Sequence, residues 1–214
     1  NLVRLFVVQP GGSLTLEGMT LLGGESDCGG AIYNLAGGSV VLSNCVLAGN
    51  GAVGQDGANG RSGDDDPNYG KDGHDAGIGL PGVGGALCNL GDLTAISCQF
   101  TNNRAVGGDG GSGGNGGNSG GDARLGYRRG YQGGNGGDGG DGALGFGGAI
   151  YNEGNLWLDD CAFLANTATG GNGGRGGANG VGVFEGYPGT GGAGAEGSGG
   201  AIYSTGSMTN FGCV

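Results

Sequence analysis

The chain has 214 residues, of which 64 are glycine and 4 are proline, so it has too little proline for collagen and too much glycine for one ordinary compact core. Its formal net charge of −11 disfavours a nucleic-acid partner, because phosphate contacts need clustered lysine and arginine. No apolar run reaches the roughly 18 residues of a membrane span, and the acidic, lysine-poor composition favours an extracellular or cell-surface location.

The first predicted elements are two short strands, at residues 2–8 and 13–19. A segment close to Gly-Gly-Ala-Ile-Tyr-Asn then occurs four times, starting at Gly29, Gly84, Gly147 and Gly199. A short turn and a second strand follow each copy, at residues 39–47, 93–100, 156–164 and 208–214. A cysteine stands at one matching place in each second strand, with Met19 in that place in the earliest unit: Cys45, Cys98, Cys161 and Cys213.

These repeats predict an all-β fold, a right-handed parallel β-helix that forms a single domain over residues 1–214. The alternating apolar residues indicate strands with one buried face, which a single unit cannot bury alone. Stacking at about 4.8 Å per rung buries that face and aligns equivalent residues. We expect three ladders: Ile32, Leu87, Ile150 and Ile202; Tyr33, Cys88, Tyr151 and Tyr203; and Asn34, Asn89 and Asn152, whose amides can hydrogen-bond along the axis.

Three long glycine-rich inserts separate the rungs, at about residues 51–83, 104–146 and 167–198. Glycine recurs in them at every third residue, which is the period of a polyproline-II helix. We therefore expect polyproline-II or polyglycine-II hairpins lying side by side, each with an outward leg of about 40 Å. The alternative is a set of flexible tethers, because ordering glycine is entropically costly.

Each insert has a chemically distinct tip. In the first tip, oxygen ligands are dense at Asp64, Asp65, Asp66 and Asn68, with Asp72 and Asp75 nearby, so the tip is either a calcium site or a solvated acidic loop. The second tip holds the one basic cluster, which predicts either ligand recognition or pairing with acidic neighbours: Arg124, Tyr127, Arg128, Arg129 and Tyr131. The third tip adds Phe184 and Tyr187 as candidate ligand-binding residues.

The sequence offers no catalytic constellation. The one histidine, His74, lies in an acidic loop, and Asp159 with Asp160 is the one acidic pair on a predicted strand. We therefore predict a protein that is not an enzyme, with no catalytic residue and no cofactor beyond the calcium alternative. Among the cysteines, Cys28 and Cys88 are the best disulfide candidates, because cysteines stacked directly above one another have poor geometry for a bond.

The Gly-Gly-Ala-Ile-Tyr-Asn segments, with the following Asn-Cys-x-Leu at residues 44–47, resemble the extracellular repeats of bacterial right-handed β-helix proteins. These include the polymorphic outer-membrane type and pectate-lyase-like passenger domains. The resemblance covers about half of the chain and implies a surface scaffold. The period-three inserts resemble the polyglycine-II bundles of glycine-rich antifreeze proteins and some phage adhesins.

The first functional hypothesis is a structural protein, a module of a cell-surface fibre that self-associates by end-to-end stacking of its solenoid. The alternative is an adhesin whose loop tips bind a surface glycan or another cell. A polysaccharide-active enzyme is disfavoured by the missing acid and base, and ice binding by the lack of a flat threonine-rich face.

Overall fold

The computed structural model describes residues 3–120 and 131–214, and the regular structure in these two ranges is entirely β-strand. The strands form five successive rungs. Rung 1 comprises β1 (Phe6–Val8), β2 (Ser13–Glu17), β3 (Thr20–Leu22) and β4 (Glu25–Ser26). Rung 2 comprises β5 (Ile32–Asn34), β6 (Ser39–Ser43), β7 (Val46–Ala48), β8 (Gly51–Val53) and β9 (Gly82–Val83).

The later rungs repeat this order. Rung 3 comprises β10 (Leu87–Asn89), β11 (Asp92–Ile96), β12 (Gln99–Thr101), β13 (Arg104–Val106) and β14 (Gly145–Phe146). Rung 4 comprises β15 (Ile150–Asn152), β16 (Asn155–Asp159), β17 (Ala162–Leu164), β18 (Thr167–Thr169) and β19 (Gly197–Ser198). Rung 5 comprises β20 (Ile202–Ser204) and β21 (Ser207–Phe211).

Equivalent strands of successive rungs pair in parallel and form five sheets, numbered here by the order of their strands within a rung. Sheet 1 has the order β1-β5-β10-β15-β20 and sheet 2 the order β2-β6-β11-β16-β21. Sheets 3, 4 and 5 have the orders β3-β7-β12-β17, β4-β8-β13-β18 and β9-β14-β19. This topology confirms the predicted stack of parallel strands, a parallel β-solenoid. The registers also align the predicted aliphatic ladder of Ile32, Leu87, Ile150 and Ile202.

In rungs 2, 3 and 4, the predicted second strand is in fact two strands with a corner between them. The corner residues Asn44, Ser97 and Asp160 have left-handed backbones, with φ of 52°, 52° and 50°. A non-glycine residue in this region is uncommon, and each bend redirects the chain from sheet 2 into sheet 3. The cysteine after each corner points into the solenoid, where Cys45, Cys98 and Cys161 are buried.

The core lies between sheets 1, 2 and 3 and follows the axis of the solenoid. Leu42, Leu87 and Ile150 are fully buried, and the Phe100 ring stacks on that of Phe163 with their centroids 4.8 Å apart. The buried asparagines form the predicted ladder: Asn34 Nδ2 donates to Asn89 Oδ1 and Asn89 Nδ2 donates to Asn152 Oδ1, each at 2.7 Å. The stacked amides therefore provide acceptors for the Nδ2 groups of Asn34 and Asn89, whereas Asn34 Oδ1, at the start of the ladder, has no partner among the described residues.

The ends of the predicted inserts belong to the solenoid. Strands β8 and β9 lie inside the predicted 51–83 insert, and sheets 4 and 5 take the ends of the other two inserts in the same way. The chain between these strands is therefore shorter than predicted, at residues 54–81, 107–144 and 170–196. In residues 3–120 and 131–214, no helix has the length and hydropathy that crossing a bilayer requires.

Candidate functional site

The inserts join one another through a regular set of backbone hydrogen bonds. Each has an outward leg, at residues 54–66, 107–119 and 170–181, and a return leg, at residues 70–81, 132–144 and 184–196. Between outward legs, Gly57 N donates to Asp109 O and Gly110 N to Asn172 O, each at 2.8 Å. Between return legs, Gly73 N donates to Asn135 O, also at 2.8 Å. These bonds recur at every third residue, so the legs form two layers of three.

A second set of hydrogen bonds joins the two layers. Gly114 N donates to His74 O at 2.9 Å, and Gly137 N donates to Gly114 O at 2.8 Å. Gly177 N in the third outward leg donates to Gly137 O at 2.8 Å. Backbone N–H groups in the interior of these layers are therefore paired with carbonyls, as buried backbone requires. We call these six legs the insert bundle.

Glycine in the insert bundle follows the packing of the legs. A Cβ at Gly114 would overlap Arg61 O, and one at Gly137 would overlap His74 O. On the outer side of the first insert, where no other leg packs, the equivalent positions carry side chains, with Gly77 as the exception: Gln55, Ala58, Arg61, Asp64, Lys71, His74 and Leu80. Gly191 in the third return leg is less crowded than the inner glycines, because the nearest atom to an added Cβ is Gly174 O at 3.5 Å.

Aspartate and asparagine side chains add a third contact between inserts. Asp56 Oδ1 accepts from Asp109 N at 2.9 Å, and Asp109 Oδ1 accepts from Asn172 N at 2.7 Å. The acceptor always belongs to the earlier insert and the donor to the next one. The other pairs, acceptor first, are Asn59–Ser112, Asp65–Asn118, Asp72–Asn135, Asp75–Asp138, Asn115–Ala178, Asn118–Val181, Asn135–Tyr187, Asp138–Thr190 and Asp141–Ala193.

The period-three glycine pattern did not predict that these side chains accept hydrogen bonds from the backbone of the next insert. A signal exists: the third position of the repeat is mostly Asp or Asn in the first two inserts. In the third insert only the first repeat of the outward leg keeps this residue type, at Asn172, and the following repeats have Arg175, Ala178 and Val181. Within residues 3–120 and 131–214, no side chain of the third insert accepts a hydrogen bond from another insert.

The Asp138 contact predicts a pH-dependent insert bundle. Hydrogen bonds from the Thr190 backbone N–H and then its hydroxyl lower the pKa of Asp138. A carboxyl with a lowered folded pKa stabilises the fold above its unfolded pKa, and this stabilisation is lost as the pH falls through the folded value. We expect the protection of the Thr190 amide from hydrogen exchange to fall below about pH 4.

The matched control is Asp138→Asn, which keeps an oxygen acceptor but does not titrate. The reference amide is that of Tyr187, because its acceptor, Asn135 Oδ1, does not titrate. After correction for intrinsic exchange, the Thr190 amide of the variant should lose no more protection between pH 6 and pH 3 than the Tyr187 amide does. An equal acid-induced loss in both proteins would assign the effect to another group.

The acidic tip is arranged by hydrogen bonds rather than by convergent ligands. Asp66 Oδ1 accepts from Asn68 N at 2.8 Å and from Tyr69 N at 3.1 Å, and these bonds lower the pKa of Asp66. Asp65 Oδ1 accepts from Asn118 N at 2.6 Å, and Asp64 lies 3.8 Å from Arg61. In residues 3–120 and 131–214, no three His, Cys, Asp or Glu side chains converge as metal ligands. The hypothetical calcium site at Asp64, Asp65, Asp66 and Asn68 therefore has no assembled ligand set.

The structure describes part of the predicted recognition cluster. Arg124, Tyr127, Arg128 and Arg129 lie outside the described residues. Tyr131 is half-buried, and its carbonyl accepts from Phe184 N at 3.0 Å, so the structure brings these two predicted residues together. The Phe184 side chain is exposed, and that of Tyr187 is 75% exposed.

All six cysteines are free thiols in the structure. Interaction with the neighbouring Cys28 thiol, followed by burial, raises the pKa of Cys88. The Cys28–Cys88 disulfide stays a prediction. Cys98 and Cys161 are neighbours in successive rungs, because the residues that follow them, Gln99 and Ala162, are in register.

The candidate catalytic groups stay apart. The exposed His74 takes part in the insert bundle through its backbone, as its N–H donates to Arg61 O at 2.9 Å. Asp159 on β16 lies in register with Ile96 on β11 and Phe211 on β21, so neither adjacent strand supplies a second carboxylate there.

The fold and the inserts together define a parallel β-solenoid that carries a hydrogen-bonded glycine-rich bundle. No family model matches the chain, and no curated protein matches it. A solved structure with some similarity is the springtail antifreeze protein from Granisotoma rainieri, a nine polyproline type II helical bundle. The two chains are 23% identical, the match covers 64% of this chain and 93% of that chain, and the TM-score is 0.11. A TM-score this low supports no inference about this protein.

Proposed function

We propose that this protein is a non-catalytic extracellular structural module, and that it joins into a cell-surface fibre by stacking its solenoid end to end. One observation carries the proposal. Met208 on β21 is in register with Leu156, a core residue that is 3% exposed, yet Met208 is 47% exposed. A core position is therefore open at rung 5, where a further parallel rung would cover it. At the other end, Val3 and Leu5 are also exposed apolar residues.

The finer features of the proposal come from the sequence and elementary chemistry. A right-handed solenoid follows the usual handedness of parallel crossover connections. A polyglycine-II conformation of the legs is supported by hydrogen bonds at every third residue. The acidic composition and the resemblance of the rungs to bacterial surface repeats support an extracellular location.

Substitution of the open core position tests the stacking. We expect Met208→Lys to raise the concentration needed for assembly at least tenfold, because a charge at a covered apolar position must be desolvated. Analytical ultracentrifugation over a dilution series, with negative-stain images, measures the effect. The matched control is Leu164→Lys, since Leu164 is 66% exposed on sheet 3 and faces away from the core.

Circular dichroism should show the same folded β-structure in both variants. Equal assembly of Met208→Lys and Leu164→Lys would contradict stacking through rung 5. A monomer at every concentration of the unsubstituted protein would contradict the fibre itself.

The second candidate function is an adhesin that binds surface glycans through the tips of its inserts. The supporting observation is the exposed apolar group on the third tip, which consists of Val181, Val183, Phe184 and Tyr187. If this candidate is correct, Tyr187→Ala reduces attachment to the target surface while the concentration for assembly stays unchanged.

A further inference from the structure

The outer face of sheet 2 carries the one tryptophan of the chain. Trp157 on β16 points outward and is 45% exposed, although its flanking residues Leu156 and Leu158 are buried in the core. In the rung before it and the rung after it, the residues in register are Thr94 and Thr209. Both neighbours are small, so the indole stands above its row of the sheet.

Polar side chains surround the indole. The next outward row holds Asp92, Asn155 and Ser207, and Asn155 Nδ2 donates to Asp92 Oδ1 at 2.8 Å. These residues line a depression of about 360 Å³ together with Thr94, Trp157 and Thr209. The depression therefore offers hydroxyl, amide and carboxylate groups beside one aromatic ring.

The indole is held in place from one side. The Phe211 ring on β21 lies 5.2 Å from it, centroid to centroid, at an interplanar angle of 47°. Tilted aromatic pairs of this kind are favourable, and they restrict the rotation of both rings. Trp157 is thus a positioned platform rather than a freely rotating surface side chain.

We propose that Trp157 and the adjoining polar row bind a neutral polysaccharide. The ligand class follows from the chemistry of the depression, since a sugar ring presents C–H groups to an aromatic face and hydroxyls to polar neighbours. An anionic sugar does not fit, because the residues that line the depression include Asp92 and no lysine or arginine. The formal net charge of −11 opposes an anionic polymer in the same way.

The sheet also suggests how the chain would lie. Thr94, Trp157 and Thr209 follow the solenoid axis at the rung repeat of about 4.8 Å, which is close to the length of one hexose unit. A linear glycan along the axis would therefore meet one set of polar groups per sugar. This binding site is independent of the proposed fibre.

Tryptophan fluorescence, excited at a wavelength that tyrosine does not absorb, tests the proposal directly, because Trp157 is the one tryptophan of the chain. The probes are cellohexaose, mannohexaose, chitohexaose and maltohexaose, with hexagalacturonate as the anionic comparison. We expect a saturable blue shift with at least one neutral oligosaccharide and none with hexagalacturonate. No shift with any neutral probe, or a shift with hexagalacturonate alone, overturns the proposal.

Variants locate the site. On the insoluble polysaccharide that corresponds to the active probe, Trp157→Ala should reduce retention at least tenfold and Trp157→Phe less. Leu164→Ala, a change of an exposed apolar residue on sheet 3, should leave retention unchanged. Retention lost in Tyr187→Ala but kept in Trp157→Ala would assign binding to the insert tip and overturn the proposal.

A dilution series without sugar tests whether a second copy of the chain, rather than a glycan, covers Trp157. If the Trp157 emission shifts to the blue as protein concentration rises, a second copy of the chain covers the indole, and the glycan site is overturned. Constant emission across the series is the expected result. Because Met208→Lys disrupts stacking at rung 5, failure of the fibre proposal and failure of this one are observed separately.

Discussion

Gly114→Ala should open the insert bundle, whereas Gly191→Ala should leave it closed. A Cβ at Gly114 would overlap Arg61 O, and Gly114 cannot retreat because its N–H is bonded to His74 O and its carbonyl to Gly137 N. Overpacking of this kind costs about 3 kcal/mol. Hydrogen exchange of the insert amides, read by mass spectrometry, should show a loss of protection across all three inserts.

Gly191→Ala is the matched control because the backbone of neither glycine is left-handed. The nearest atom to a Cβ at Gly191 is Gly174 O at 3.5 Å, an ordinary contact. We expect this variant to keep its protection and to gain about 0.5 kcal/mol, since alanine restricts the unfolded chain. Equal loss of protection in the two variants would mean that the legs do not pack as described.

Breaking the asparagine ladder inside the solenoid should reduce stability by an amount comparable to the cost of Gly114→Ala. Asn89→Leu keeps the branching and the number of side-chain heavy atoms but removes the acceptor for Asn34 Nδ2 and the donor to Asn152 Oδ1. Buried polar groups left unpaired cost about 1 to 3 kcal/mol each, so we expect a loss of about 3 kcal/mol in the free energy of unfolding. The midpoint of guanidinium unfolding, followed by circular dichroism, measures it.

Gln99→Ala is the comparison for this variant, since Gln99 is an exposed amide on β12 and its loss should change the free energy by less than about 0.5 kcal/mol. If Asn89→Leu were as stable as Gln99→Ala, the stacked amides would contribute no more than a leucine ladder does.

The stacking of the rungs could be predicted because identical positions recur at identical places. The repeated pattern predicts an aliphatic ladder of Ile32, Leu87 and Ile150. It also predicts an amide ladder of Asn34, Asn89 and Asn152. The corners could not be predicted, because Asn44, Ser97 and Asp160 share no residue type that marks a left-handed backbone. The strands of sheets 4 and 5 are only two or three residues long, and most contain glycine or alanine. Their sequences could therefore not be distinguished from those of the glycine-rich inserts.

The candidate sites were harder to predict than the fold. The partner of Asp56 is 53 residues away, and that of Asp109 is 63 residues away, so their bonds depend on which legs become neighbours. Trp157 has no unusual local pattern in the sequence. Its surroundings come from Thr94 and Thr209, which only the register of sheet 2 brings beside it.

The side-chain acceptors of the insert bundle have a direction that bears on synthesis. Asp56 accepts a hydrogen bond from the backbone of Asp109, and Asp109 accepts one from the backbone of Asn172. Each insert therefore provides side-chain acceptors for the insert that is synthesised after it. Chains emerge from the ribosome starting with the N-terminus, and repeat arrays grow by adding units to a formed neighbour. The side chains of the first insert can thus bind the backbone of the second insert in register as it emerges, and those of the second can bind the third in the same way. The direction of these acceptors is therefore the same as the direction of synthesis.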